Sequence, residues 1–168
     1  MWNVVIISCT TVLVPNELLG RVTSTAIFRW RAGRRSDMIA RMGSTVTNIA
    51  IDCANAYLLA RFWSDVTGHQ LDPEDEPGDA ETEIMLPGGP ALHFNEVPEP
   101  KSAKNRLHLC LRPDTSRDAE VERLLSLGAS LVADRREPDG WGWVVLADPE
   151  GNEFCILLAE SERAALSS

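Results

Sequence analysis

The sequence predicts an α+β fold: two βαβββ modules forming a curved, open mixed sheet around a cleft, with an N-terminal extension. Three observations predict it. A grammar of strand, turn, amphipathic helix and three short strands occurs twice. The glycines that end the two helices, Gly68 and Gly128, lie sixty residues apart, the mark of a duplicated unit. Charge changes sign near residue 42: residues 1–42 carry six Arg against Glu17 and Asp37, net plus four, which leaves minus thirteen for the other 126 residues.

The extension, residues 1–42, reads as poorly structured or helical and outside the core. Its apolar start, residues 1–14, is interrupted by Asn3, Ser8, Thr10 and Thr11 and is too short to span a bilayer. It lacks the basic n-region and small-residue cleavage site of a signal peptide. The domain proper is placed at 43–161, with module 1 at about 45–98, module 2 at about 104–160 and a tail at 162–168.

In module 1, Val46, Ile49 and Ile51 mark a strand that Asp52-Cys53-Ala54-Asn55 breaks. Leu59, Phe62, Trp63 and Val66 then recur at helical spacing, and Gly68 stops the helix. Strands are expected over 69–72, 81–86 and 91–97, around an acidic loop with seven carboxylates between residues 72 and 83. In module 2, Leu107, Leu109 and Leu111 alternate with Arg106, His108 and Cys110, which gives a half-buried strand. Val121, Leu124 and Leu125 mark the helix that Gly128 ends, and strands over 131–135, 143–147 and 153–158 follow. Asp148-Pro149-Glu150-Gly151 is the turn between the last two.

Composition excludes several classes. With 44% hydrophobic residues the chain can build a real core. A net charge of minus nine has the wrong sign for holding a phosphate backbone, so nucleic acid is not an expected partner. Stable membrane insertion is not expected either, because the apolar start is too short to span a bilayer and no further span follows. Four cysteines with no CxxC pair signal neither a zinc ribbon nor a disulfide framework, which fits a reducing cytoplasm. No GxGxxG, GKS/T or nucleophile-triad signature occurs.

The phrases Ile51-Asp52-Cys53, Ala60-Arg61-Phe62-Trp63, Val97-Pro98-Glu99-Pro100-Lys101, Lys104-Asn105-Arg106-Leu107-His108-Leu109, Leu127-Gly128-Ala129 and Asp148-Pro149-Glu150-Gly151-Asn152-Glu153-Phe154-Cys155 span nearly the whole domain. Together they resemble the glyoxalase/bleomycin-resistance/dioxygenase superfamily, the vicinal oxygen chelate fold, and its glyoxalase-like domains in particular. A separate phrase, Val14-Pro15-Asn16-Glu17-Leu18-Leu19-Gly20-Arg21-Val22-Thr23-Ser24-Thr25, resembles a cytoplasmic connector of major-facilitator permeases. That likeness stops within the extension, which is read as an appended fragment or a plain extension.

The superfamily resemblance implies a small-molecule cleft between modules, with a metal ligand at the start of the first strand and on the last strand of each module, typically His and Glu. Here those positions fall at Asn48 and near Asn95 in module 1, and at Arg106 and Cys155 in module 2, so the usual set is absent. Arg106 would oppose a cation and suit a carboxylate or phosphate. A rebuilt metal site could draw on His93, His108 and Glu153 or Cys155, since imidazole, carboxylate and thiolate are plausible ligands for zinc, iron or nickel. The alternative is that each is an ordinary hydrogen-bonded cleft residue, and the cofactor, a divalent metal or none, stays open.

Asp52 and Glu153 are the catalytic candidates; Asp52 is either a general base or a helix cap. Trp141 and Trp143, separated by Gly142, could stack a planar ligand, or pack beneath a loop. The ligand-binding candidates are thus Asn48, Asn95, Arg106, His108, Trp141, Trp143 and Cys155. Three functions follow: a metal-dependent lyase, isomerase or dioxygenase; a metal-free drug- or metabolite-binding protein; or a noncatalytic pairing module. A homodimer is expected, because a curved open sheet leaves edge strands exposed.

Overall fold

The computed structural model describes residues 43–168 and, ahead of them, the backbone of β1 (Trp2–Ile7) and β2 (Thr10–Pro15). The chain divides into two compact units, Met1–Ser44 and Thr45–Ser168. In the first, β1 and β2 pair antiparallel, from Trp2 opposite Pro15 to Ile7 opposite Thr10. The sequence predicts a loose or helical extension there; Val5, Ile6 and Ile7, opposite Val12, Thr11 and Thr10, are β-branched and favour an extended backbone. Residues 16–42, with most of the permease-like phrase, lie outside the described residues.

The second unit begins with β3 (Asn48–Cys53), whose exposure alternates so that Ile49, Ile51 and Cys53 face inward while Asn48, Ala50 and Asp52 face out. Helix α1 (Ala56–Thr67) follows. Its N-cap is Asn55, whose side chain accepts from the Leu58 N–H at 2.8 Å. Asp52 is therefore not the cap. Gly68, with φ +73°, closes the helix by donating its N–H to the Ser64 carbonyl at 2.8 Å. Leu59, Phe62, Trp63 and Val66 form its buried face, as their spacing predicts.

The strand expected over 69–72 is reduced to one antiparallel bridge between Leu71 and Ile84. Asp72, Asp75 and Asp79 nearby accept backbone N–H groups from Glu74, Glu83 and Glu76, so the acidic stretch satisfies itself as a loop instead of laddering. β4 (Glu81–Ile84) then pairs antiparallel with β5 (Ala91–Glu96), and β5 runs parallel to β3, in the order β3-β5-β4.

Module 2 repeats this order. β6 (Cys110–Leu111), α2 (Arg117–Ser126, N-capped by Ser116), β7 (Ser130–Arg136), β8 (Gly142–Ala147) and β9 (Glu153–Ile156) give a sheet ordered β6-β9-β8-β7, with β6 and β9 parallel. Gly128, φ +108°, follows the end of α2, matching Gly68. The first strand is shorter than its leucine alternation predicts: only Cys110 and Leu111 are in strand, and Leu107 is 70% exposed. Leu109 and Leu111 still pack on the core, while Cys110 faces outward with Cys155. The expected curved open sheet occurs as two open mixed sheets of three and four strands, and no closed barrel is formed among the described residues. The expected tail contains helix α3 (Glu160–Leu166).

One core serves both modules. Leu59, Phe62 and Trp63 of α1, Leu92 and Phe94 of β5, Leu124 of α2 and Val144, Leu146, Phe154 and Ile156 of the second sheet form a single buried cluster. Trp63 and Phe154 meet edge-on across the module boundary, with ring centroids 5.1 Å apart.

Candidate functional site

The seam between modules lies where β3 of the first meets the irregular lead-in to β6 of the second. A slot of about 210 Å³ opens there. Ile49, Ile51, Leu107 and Leu109 line it together with Trp63 and Phe154, and Asp52, Asn105, Asp148, Asn152 and Glu153 supply its polar groups. A second recess of about 370 Å³ shares Asp52 and Asn152 with the slot and adds Glu99, Lys101 and Glu150. The larger groove, about 790 Å³, lies elsewhere, at the C-terminal end of α1 beside the N-terminal half of α2. Its Arg123 is already committed to Glu120 and to the Asp65 and Val66 carbonyls, and it contains no predicted catalytic residue. The seam, with apolar walls and a few converging polar groups, is the better site.

The seam is held open by the linker between modules and by the turn before β9. The Asn105 N–H donates to Glu153 Oε2 at 2.9 Å, and Lys101 Nζ lies 3.3 Å from the same oxygen. Burial works to raise the Glu153 pKa, but the N–H groups of Asn105 and Glu153 and the Lys101 ammonium outweigh it and hold the carboxyl below its ordinary range. Asp148, in the turn after β8, is buried on the slot wall. Burial raises its pKa against hydrogen bonds from the Asn152 backbone and side chain, the Trp63 indole and the Glu150 N–H. The Trp63 Nε1–H donates to Asp148 Oδ2 at 3.2 Å, which ties the α1 core residue to the module 2 turn. Glu150 of that turn accepts the Ala54 and Asn55 N–H groups just ahead of α1, at 2.6 and 3.1 Å.

The structure brings together only part of the predicted set. Asp52 lines both cavities and Glu153 lines the slot. Asn48, His93 and Asn95 share the outer face of the first sheet with Asp52, where Asn95 stands directly opposite Asp52, but none of the three lines the seam. Arg106 is exposed and outside both cavities. His108 sits beside Cys155, with Nδ1 3.7 Å from Sγ. Trp141 and Trp143 are 38% and 44% exposed and line neither cavity; Trp143 stands opposite Arg135 at the β7–β8 end of its sheet.

The donors proposed for a metal do not converge. His93 pairs with Glu81 at 3.8 Å, Glu153 is engaged by Lys101 and Asn105, and His108 faces Cys155. Among the described residues no group of three or more His, Cys, Asp or Glu side chains is placed to hold an ion. As arranged, the residues do not fit a divalent cation. Lys101, Asn105, Asp148 and Asn152, which do shape the site, were legible only as linker and turn residues within the quoted phrases.

The glyoxalase-like domain family model matches residues 48–157, from the first residue of β3 to just past β9. The chain belongs to the glyoxalase-like domain family. That family match supports the vicinal oxygen chelate superfamily, and solved structures share the fold. A glyoxalase/bleomycin resistance protein/dioxygenase family enzyme from Burkholderia phytofirmans PsJN superposes with a TM-score of 0.54 at 21% identity, over 67% of this chain and 97% of that one. A glyoxalase-related enzyme from Fulvimarina pelagi gives 0.53 at 22% identity, over 68% and 88%. A fosfomycin resistance protein from Mesorhizobium loti gives 0.53 at 17% identity, over 74% and 99%. At these identities the likeness is one of fold. No curated protein matches the chain. No helix among the described residues of this glyoxalase-like protein is long and apolar enough to cross a membrane.

Proposed function

We propose that this glyoxalase-like domain binds a small organic molecule at the seam between its modules. The apolar body of the ligand lies between Ile49 and Ile51 on one side and Leu107 and Leu109 on the other, with its polar head toward Asp52. One observation carries the reading: an apolar slot and a polar recess meet at Asp52 and Asn152. Drug-sized ligands take pockets of roughly 300–1,000 Å³, so a slot of about 210 Å³ suits an apolar body of a few heavy atoms. The recess sets Asp52, Glu99 and Glu150 against Lys101, a balance that favours a cationic or hydrogen-bond-donating head.

Solved relatives of this fold are described both as enzymes and as a resistance protein, so the fold leaves the choice between turnover and binding to the site. The dispersed donors favour binding without a metal over metal-dependent lyase or dioxygenase chemistry. In a catalytic version of this site Asp52 would take a proton at the rim, while Glu153, tied to Lys101 and Asn105, holds the linker in place. Residence in the cytoplasm and assembly as a homodimer belong to the same proposal; sedimentation of the purified protein tests the second.

A thermal-shift panel of small amines and amino alcohols tests the ligand class. The expected result is a concentration-dependent rise in Tm with the ligand recovered unchanged. Asp52→Asn should abolish the rise and leave the stability of the free protein within about 0.5 kcal/mol, as for an exposed substitution. Consumption of the ligand would replace the binding reading with an enzymatic one. A stoichiometric metal in the purified protein, with a Tm that falls on chelation, would overturn the metal-free site.

A further inference from the structure

Outside the slot, the outer face of the second sheet carries two thiols side by side. Cys110 of β6 and Cys155 of β9 are directly opposite each other in the parallel pair. Directly opposed residues on adjacent strands point to the same face. Such strands run about 4.8 Å apart, inside the Cα separation of roughly 4.4–6.8 Å that a disulfide spans. The two sulfurs differ in access: Cys110 is exposed and Cys155 is buried. Cys155's thiol is pushed up to about 11, first by burial and next by the charge and hydrogen bond of Cys110.

An imidazole stands over the pair. His108 Nδ1 is 3.7 Å from Cys155 Sγ, and its Nε2 is 2.8 Å from Lys104 Nζ. An ammonium has donors only, and the ring turns its Nδ1 toward the sulfur. The same His108 Nε2 lies 3.1 Å from the Asn105 carbonyl, beside the residue that holds Glu153. The thiol pair is thereby connected to the linker that frames the seam.

We infer that Cys110 and Cys155 form a peroxide-sensitive dithiol, in which exposed Cys110 is oxidised first and buried Cys155 resolves it to an intramolecular disulfide. The oxidant is a hydroperoxide, with hydrogen peroxide the simplest. The Cys110 thiolate attacks one peroxide oxygen and the O–O bond breaks, leaving a sulfenic acid on Cys110 and a hydroxide that is protonated to water. Cys155 sulfur then attacks the Cys110 sulfur. The S–S bond forms, the S–O bond breaks, and the departing hydroxide leaves as water with the proton from Cys155. Peroxide is reduced to two waters, and two thiols are oxidised to one disulfide. His108, with Nδ1 3.7 Å from Cys155 Sγ, holds that sulfur beside Cys110 as it attacks, which makes His108 a positioning residue. Transient disulfides of this kind occur in reducing compartments as redox sensors. The inference does not depend on the ligand proposed for the seam.

The test uses the full chain, reduced and then treated with a small excess of hydrogen peroxide. The expected product loses two hydrogens in intact mass and regains them with a dithiol reductant. Tryptic mapping should join residues 107–117 to residues 137–163, because trypsin does not cut Arg112 from Pro113. Cys155→Ser should leave a sulfenic acid on Cys110 that a cyclic diketone traps, and Cys110→Ser should abolish the cross-link. His108→Asn should slow closure of the disulfide without slowing formation of the Cys110 sulfenic acid, a split that a merely structural role would not produce. A cross-link to Cys9 or Cys53, a link between two chains, or over-oxidation of wild-type Cys110 with Cys155 still reduced would each overturn the assignment.

Discussion

At Gly142 the backbone has φ +95°, and an added Cβ would stand 2.0 Å from the Arg135 carbonyl oxygen on the neighbouring strand. Both the conformation and the space exclude a side chain, so Gly142→Ala should destabilise the domain by about 2–4 kcal/mol, read as a lower urea midpoint with unchanged slope. The glycine between the two tryptophans thus serves the β7–β8 ladder. Glu153 and Asp148 act with opposite sign in acid. The Glu153 pKa is depressed in the fold, so its contribution is present above the unfolded value and is lost as pH falls through the folded one. The Asp148 pKa is raised, so its contribution is full below the unfolded value and is lost as pH rises through the folded one. Glu153→Gln should therefore make the loss of stability below about pH 4 shallower than in wild type, measured as the urea midpoint across an acid pH series.

Helix α1 is the element on which the seam depends. Its cap, Asn55, sits next to Ala54, whose N–H is held by Glu150 from the other module. Asn55→Ala should cost about 1 kcal/mol, measured by urea unfolding. The hydrophobic stripe and the closing glycine of this helix were readable because both follow from local spacing. The first strand of module 2 was not readable in the same way. Leucines at 107, 109 and 111 announce a strand, yet ladder pairing reaches only Cys110 and Leu111 because Asn105 is drawn instead to Glu153 and Asn152. Alternation records which side a residue prefers; it does not record where pairing stops. That shortfall is what leaves the slot.

At the scale of the whole molecule, Phe154 is the joint. It packs edge-on against both Phe62 and Trp63 of the opposite module. Phe154→Ala should cost about 3–5 kcal/mol, as for a large core aromatic, and should loosen both modules together. Hydrogen exchange followed in β5 and β9 should report a common opening free energy in wild type and an equal drop at both strands in the variant. Independent opening of the two modules would contradict a shared core.

The sequence by itself determined the duplication, the helix of each module with its stop and most inward faces of the strands, while the family came from the resemblance of whole phrases. The helices, their stops and the strand faces are written in short-range spacing: period two for a strand, 3.6 for a helix, and a glycine where the backbone must turn left-handed. Tertiary structure alone decided what lies at the seam. Asp52 and Glu153 were visible as carboxylates, but their joining by Asn105, Asp148 and Asn152, and the separation of His93 from His108 and Cys155, follow from how two sheets share one core. The pairing of Cys110 with Cys155 is of the same kind: 45 residues separate them in the chain, and only the parallel register of β6 with β9 sets them face to face. Local pattern fixes the direction in which a side chain points, whereas its neighbours are fixed by long-range packing.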